Sequence, residues 1–396
     1  MAAYNQFGGE KFRLQSYQNY GRALQVLRKA IQVEDEVTDD RVLTAVLLLC
    51  MFKDIGEESW GDSTEHASGL YYLLEKRGVE QLCISRGFEL FLLAILKLAS
   101  RLFLEQVHIF LHQDNTYSDP GGLVALFAPF DPMMHAMSLM TRTMCLRKSL
   151  MECAASLQMA QGPKEWLPQP ENQRRLGETD QATLHACFEA LEEFDSWDTD
   201  AAPYWTDTLE VRNIPAALGE LAAGTSYYDP KTACIMILIR SARLVLLLSI
   251  LEYYDVIQIS CSKSETWRVG DQAAWTHCIP ILEQNIRLTI NDMLYCVPFA
   301  MGDLDPGGSP DGAAALVVFQ PIRLVSYCAY ATPEQRQSSQ DILNRMKSTI
   351  GIRSAVSWEQ QASSATLAPQ HLGTQSLIRD MALLPMPGTV TLSPPP

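Results

Sequence analysis

Residues 234–254, CIMILIRSARLVLLLSILEYY, are apolar around the whole circumference of a helix, yet Arg240 and Arg243 stand near their middle. A helix that is apolar on every side has to be surrounded, either by lipid or by other protein elements. In lipid each central arginine would cost about 2.5–3.5 kcal/mol, and the run falls short of the roughly 18 uncharged apolar residues that a span needs. A second run, 88–111, is broken in the same way by Glu89, Lys97, Arg101 and Glu105. Both therefore read as long core helices of a soluble bundle.

The rest of the chain follows the same period. In YQNYGRALQVLRKAI, Tyr20, Leu24, Leu27 and Ile31 share one helical face. An acidic break follows, and Asp39 or Asp40 caps the next helix, VLTAVLLLCMF. Asp62 and Glu65 form a capping box before HASGLYYLLEKRG, and Gly78 stands where a terminating glycine belongs, just after Lys76 and Arg77. Helices are expected at 132–160, near 180–195, at 231–256 and at 280–295, with loops or short helices between Asp195 and Pro230. A helix near 312–331 holds Pro321, which predicts a kink or a broken pair. Thr332-Pro333-Glu334-Gln335 is a helix start, with threonine as cap, proline at the first position and glutamine three residues after the cap. Few segments alternate with period two, so the fold class is all-α, an irregular multi-helix bundle. Residues 1–360 form its body, with an irregular middle at 161–230. The Ala/Ser/Gln/Pro-rich segment 361–396 reads as a disordered tail.

Forty-six acidic residues against 31 basic ones, a net charge of −15, argue against direct contact with phosphate backbones. The ten cysteines show no CxxC spacing and lie in apolar, helix-like segments, where the reduced and buried state of an intracellular protein is expected. The N-terminus lacks the apolar core of a secretory signal.

No catalytic constellation emerges. His108 and His112 have metal-binding spacing, but Ile109 stands where a HExxH protease needs its glutamate. The acidic clusters at 33–40 and 195–200 invite comparison with the magnesium-binding aspartates of terpene cyclases. Arg41, Val42 and Leu43 leave no carboxylate one turn after Asp40, and near Asp292 the places of a hydroxyl and a glutamate hold Tyr295 and Phe299. Solvated loops are the simpler reading of these acids. Leu70-Tyr71-Tyr72-Leu73-Leu74 spells LxxLL, which docks helices into coregulator grooves but at helical spacing more often belongs to a core. Gly307-Gly308 lacks the following helix that would hold a phosphate. No catalytic, cofactor-binding or metal-binding residue is therefore assigned, and no cofactor is expected.

Taken as a whole, residues 17–78 (YGRALQVLRKAIQ, an acidic break, DDRVLTAVLLLCMFKDIG, then Trp60, His66, Gly69, Leu73, Arg77 and Gly78) resemble the fungal-specific transcription factor domain. That domain is the regulatory region of fungal binuclear zinc-cluster regulators. The C-terminal stretch, from CVPFAMGDL through LVVFQPIRLVSYCAYATPEQRQSSQDILNRMKSTIGIRSA, resembles the closing helices of the same domain. Trp60 and His66 are expected to pack and hydrogen-bond, Gly69 to let two helices approach closely, and Gly78 to end a helix. The resemblance implies a nuclear transcription regulator rather than an enzyme. It would govern a gene cluster, as family members commonly do for secondary metabolism. The family's zinc cluster is not seen, since no cysteine precedes Cys50, and no Lys/Arg-rich import signal stands out. Its partners would be other regulators or a DNA-binding paralogue, in a homo- or heterodimer, with DNA reached only indirectly. The rival reading is an all-α enzyme or binding module acting on a hydrophobic metabolite.

Overall fold

The computed structural model describes residues 5, 7–33, 36–56, 66–78, 81, 85–102, 132–159, 181–198, 230–261, 269–303 and 312–355, and among these described residues ten α-helices are named here. They are α1 (Glu10–Ile31), α2 (Asp40–Gly56), α3 (Ala67–Arg77), α4 (Ser85–Leu102), α5 (Pro132–Met159), α6 (181–198), α7 (Pro230–Cys261), α8 (Val269–Ala300), α9 (Gly312–Tyr327) and α10 (Pro333–Arg345). A π turn, Met346–Ile350, and a 3-10 turn, Arg353–Ala355, close the described chain. Among the described residues there is no strand, so the all-α reading stands. The tail at 361–396, the capping box at Asp62 and Glu65, His108, His112 and Gly307-Gly308 lie outside the described residues, as does most of the irregular middle at 161–230.

The opening feature of the sequence becomes the centre of the fold. Thr232–Gln258 is long and apolar enough to cross a membrane by length and composition, and 89% of it is buried inside the protein. Helix α7 packs along α8 and α5 and touches α9. Its buried Ile237, Leu238, Ile239, Leu244, Leu246, Leu247 and Ile250 leave no polar side facing water. At about 1.5–3 kcal/mol for each buried aliphatic side chain, this helix is the main apolar contributor to stability. Helix α9 lies against α7, α10 and α4, burying Ala315, Val318, Phe319, Ile322 and Val325 at helical spacing.

Of the two outcomes expected at Pro321, a kink or a broken pair, the broken pair does not occur. Pro321 is buried within α9, which runs without interruption from Gly312 to Tyr327. Pro280 and Pro298 both sit inside α8, which extends well past the 280–295 read from periodicity. Proline costs a helix one backbone bond locally; neighbours packed on both sides supply the stability that keeps it continuous. Cys50, Cys153, Cys187, Cys296 and Cys328 are buried, whereas Cys145 on α5 is exposed, against the expectation of uniform burial.

The helix start at Thr332 takes the form its sequence predicts. The Thr332 hydroxyl accepts the Gln335 backbone N–H at 3.2 Å, and the Gln335 side-chain oxygen accepts the Thr332 N–H at 2.9 Å. The same glutamine donates through Nε2 to Arg287 O at 2.8 Å and Asn291 Oδ1 at 2.7 Å, pinning α10 to α8.

Candidate functional site

The residues that carry the family resemblance meet in a corner built by α1, α2 and α3. Its construction begins at the acidic break. Asp39 caps α2: its carboxylate accepts the Arg41 N–H at 2.7 Å and faces the Arg41 guanidinium at 2.7 Å. The guanidinium first, then the backbone N–H, hold the Asp39 carboxyl down at about 2. Asp40, next along, is taken by Arg77 from the end of α3 at 2.6 Å and by Arg86 of α4 at 3.1 Å. Arg77 is almost wholly buried. It also donates to Thr38 O at 2.9 Å and to Gln81 Oε1 at 3.3 Å. One guanidinium thus fastens the C-terminus of α3 to the N-terminus of α2.

Gly78 ends α3 at φ +62° and ψ −166°, a region that side-chain-bearing residues avoid. The last carbonyls of α3 are closed by buried Gln81, whose Nε2 donates to Leu74 O at 3.0 Å and Gly78 O at 2.7 Å. Gly87 in α4 lies so near that a Cβ there would stand 2.3 Å from the Gln81 carbonyl oxygen. On the other side of the corner, Tyr20 of α1 shares a 2.7 Å hydrogen bond with His66 and stacks on Phe52 of α2 with centroids 4.7 Å apart. The Lys53 ammonium stands 5.8 Å over the Tyr20 ring. Deeper in, the Lys97 ammonium of α4 pairs with the buried Asp54 of α2.

Of the six residues singled out by the resemblance, four hold a structural part in this corner. His66 hydrogen-bonds, Leu73 is buried, Arg77 pairs and Gly78 terminates. Gly69 does not act as expected: it is exposed, and a Cβ on it would meet nothing within 4 Å, so no helix approaches closely there. Trp60 lies outside the described residues. In the LxxLL run, Leu70, Leu73 and Leu74 are all buried, which makes them core rather than a presented docking edge.

A second polar constellation explains how α7 buries its arginines. Spaced by three, Arg240 and Arg243 both point at the end of α6, meeting Asp198 at 2.6 Å and Asp195 at 2.8 Å. Asp292 of α8 lies 3.6 Å from Arg240, and burial is the main force raising its carboxyl. Nearby, burial pushes the Cys296 thiol up to about 12. These aspartates, with Asp40, are helix-borne and engaged by arginine, which corrects the expectation that they belong to solvated loops. Among the described residues no three His, Cys, Asp or Glu side chains gather as a metal site. The charged groups of both constellations join helices to one another.

The sequence pointed to Arg77 and His66 but not to their partners Asp40 and Tyr20, nor to the Lys97–Asp54 pair. The one advance signal was that Lys97 interrupts an apolar run, as Arg240 and Arg243 do. Comparison with family models, with curated proteins and with solved structures found no match for this chain.

Proposed function

We propose that the chain is the regulatory body of a transcription regulator of the fungal zinc-cluster type, working in the nucleus through protein partners. Its role is regulatory rather than enzymatic, and its natural target is a gene cluster such as those of secondary metabolism. The observation that supports this reading most is the α1–α2–α3 corner. Four of the six residues that resemble the family's motif, His66, Leu73, Arg77 and Gly78, take part in it. A motif whose members are a helix stop, an interhelical ion pair and a tyrosine–histidine bond marks a scaffold, and a scaffold serves recognition more naturally than turnover.

The charge of −15 fits a protein that reaches DNA by way of others, because an acidic surface repels a phosphate backbone. The experiment is to tether the full chain to an unrelated DNA-binding module in a fungal host and to read a reporter gene placed beside that module's site. A change in transcription supports the proposal; a reporter identical to that of the module alone overturns it.

A further inference from the structure

None of the 22 residues of α1 is buried, and its principal neighbour is α2. Lys11, Tyr20 and Lys29 follow one another at nine-residue steps, about two and a half turns each. The two lysines therefore stand on the side opposite Tyr20, which meets His66 and Phe52. Arg22 lies within about 20° of the same line. Gln15, Gln18 and Gln25 stand beside these cations, and all six side chains are exposed. Leu14 (57% exposed) sits about 60° to one side of the line and Val26 (68%) about 60° to the other. The outward face of α1 is thus a row of cations about 27 Å long with an apolar residue on each shoulder.

The cations of this row are unmatched within the chain. Elsewhere in the fold arginine goes to carboxylate: Arg77 to Asp40, Arg142 to Glu193, Arg240 to Asp198, Arg243 to Asp195 and Arg345 to Asp303. In α1 only Arg13 does so, taking Glu10, the single carboxylate of the helix. Lys11, Arg22, Arg28 and Lys29 meet no carboxylate among the described residues, although the chain holds 46 acidic residues against 31 basic ones. The complement of the row is therefore an anionic surface from outside, and the shoulders decide which kind. A membrane-surface helix has its apolar stripe at the centre and its cations at the edges, the reverse of this order. A nucleic-acid backbone would leave Leu14 and Val26 bare. With α1 at +4 in a total of −15, the remaining chain carries −19 and would repel that backbone. A protein segment with carboxylates along its centre line and apolar side chains beside them satisfies the row and its shoulders together.

We infer that α1 is a docking surface for an acidic amphipathic segment of another protein, whose carboxylates face Lys11, Arg22 and Lys29 and whose apolar side chains cover Leu14 and Val26. The inference stands on exposure and charge and is independent of the regulatory reading. Repulsion between the acidic segment and the acidic remainder of the chain is screened beyond about 10 Å at ordinary salt, whereas the contact acts well inside that distance.

Fluorescence anisotropy on the full chain tests this with a labelled helical peptide that carries a row of glutamates flanked by leucines. The peptide should bind with a Kd of about 1–50 µM at low salt, weakened at least about tenfold in high salt. A control peptide with glutamine at every glutamate should bind at least about tenfold more weakly. R22E/K29E and L14Q/V26Q change only exposed side chains, so both should keep the wild-type circular dichroism while losing affinity. On the wild type itself, saturating peptide should slow amide exchange in α1 and leave α7 unchanged. No binding up to about 100 µM, equal affinity for the glutamine peptide, or exchange in α1 that ignores the bound peptide would each overturn the inference. So would affinity indifferent to either variant, or a preference for duplex DNA or phosphatidylserine vesicles over the acidic peptide.

Discussion

At the scale of single residues, the corner separates two positions that the resemblance treats alike. Gly69 is the third residue of α3, with open space where a side chain would go, so Gly69→Ala should stabilise the protein by roughly 0.5 kcal/mol through helix propensity, at the low end of the effect in a helix interior. Arg77 is buried and shared between Asp40, Thr38 and Gln81, so Arg77→Met should cost about 2–4 kcal/mol and leave Asp40 to Arg86 alone. Denaturant titration of both variants checks the pair. A destabilising Gly69→Ala would restore the idea of a close helix contact. A neutral Arg77→Met would remove the corner's central fastening.

A half-buried carboxylate on α7 gives a pH signature. Burial raises the pKa of Glu252 above its ordinary 4.5, with Arg147 opposing the shift and Asp255 adding to it. An acid of this kind holds its proton more tightly when folded. Its contribution is therefore most favourable below 4.5 and is lost as pH rises through the folded value. Relative to wild type, Glu252→Gln should gain melting temperature steadily as pH climbs from there towards neutrality, on top of any constant offset from its lost attraction to Arg147. Parallel melting profiles across that range would contradict the assignment.

At the scale of elements, what was legible follows from what the helical period encodes. Periodicity and local capping chemistry are properties of neighbouring residues, so the start of α10 at Thr332-Pro333 and the stop of α3 at Gly78 could be read directly. Depth is not local. The face Tyr20, Leu24, Leu27 and Ile31 was evident in α1, but nothing in its pattern said that the face would be only half covered. Nor could the period tell that Pro321 would be carried through an unbroken α9, because the packing that tolerates it comes from α7 and α10. The partners of Arg77, Lys97, Arg240 and Arg243 lie tens of residues away in sequence, which hid them likewise. The contrast between α1 and α7 is itself testable by amide hydrogen exchange. Protection in α7 should approach the stability of the whole protein, while α1 should exchange orders of magnitude faster by local opening when the chain is alone in solution. Equal protection in the two helices under those conditions would show that α1 is held by more than its shallow contact with α2.

At the scale of the whole molecule, a single apolar core runs from Val37 to Ala355, with α7 at its centre and charged residues acting as ties between helices. The chain as a whole carries −15, whereas the thinly held α1 carries five basic residues against one acidic one. The tethered reporter tests the regulatory reading most directly. With the full chain fused to an unrelated DNA-binding module, the reporter should change several-fold, and Arg77→Met should reduce the effect in step with its loss of stability. A reporter that does not move, with the fusion folded and present in the nucleus, would contradict the regulatory reading.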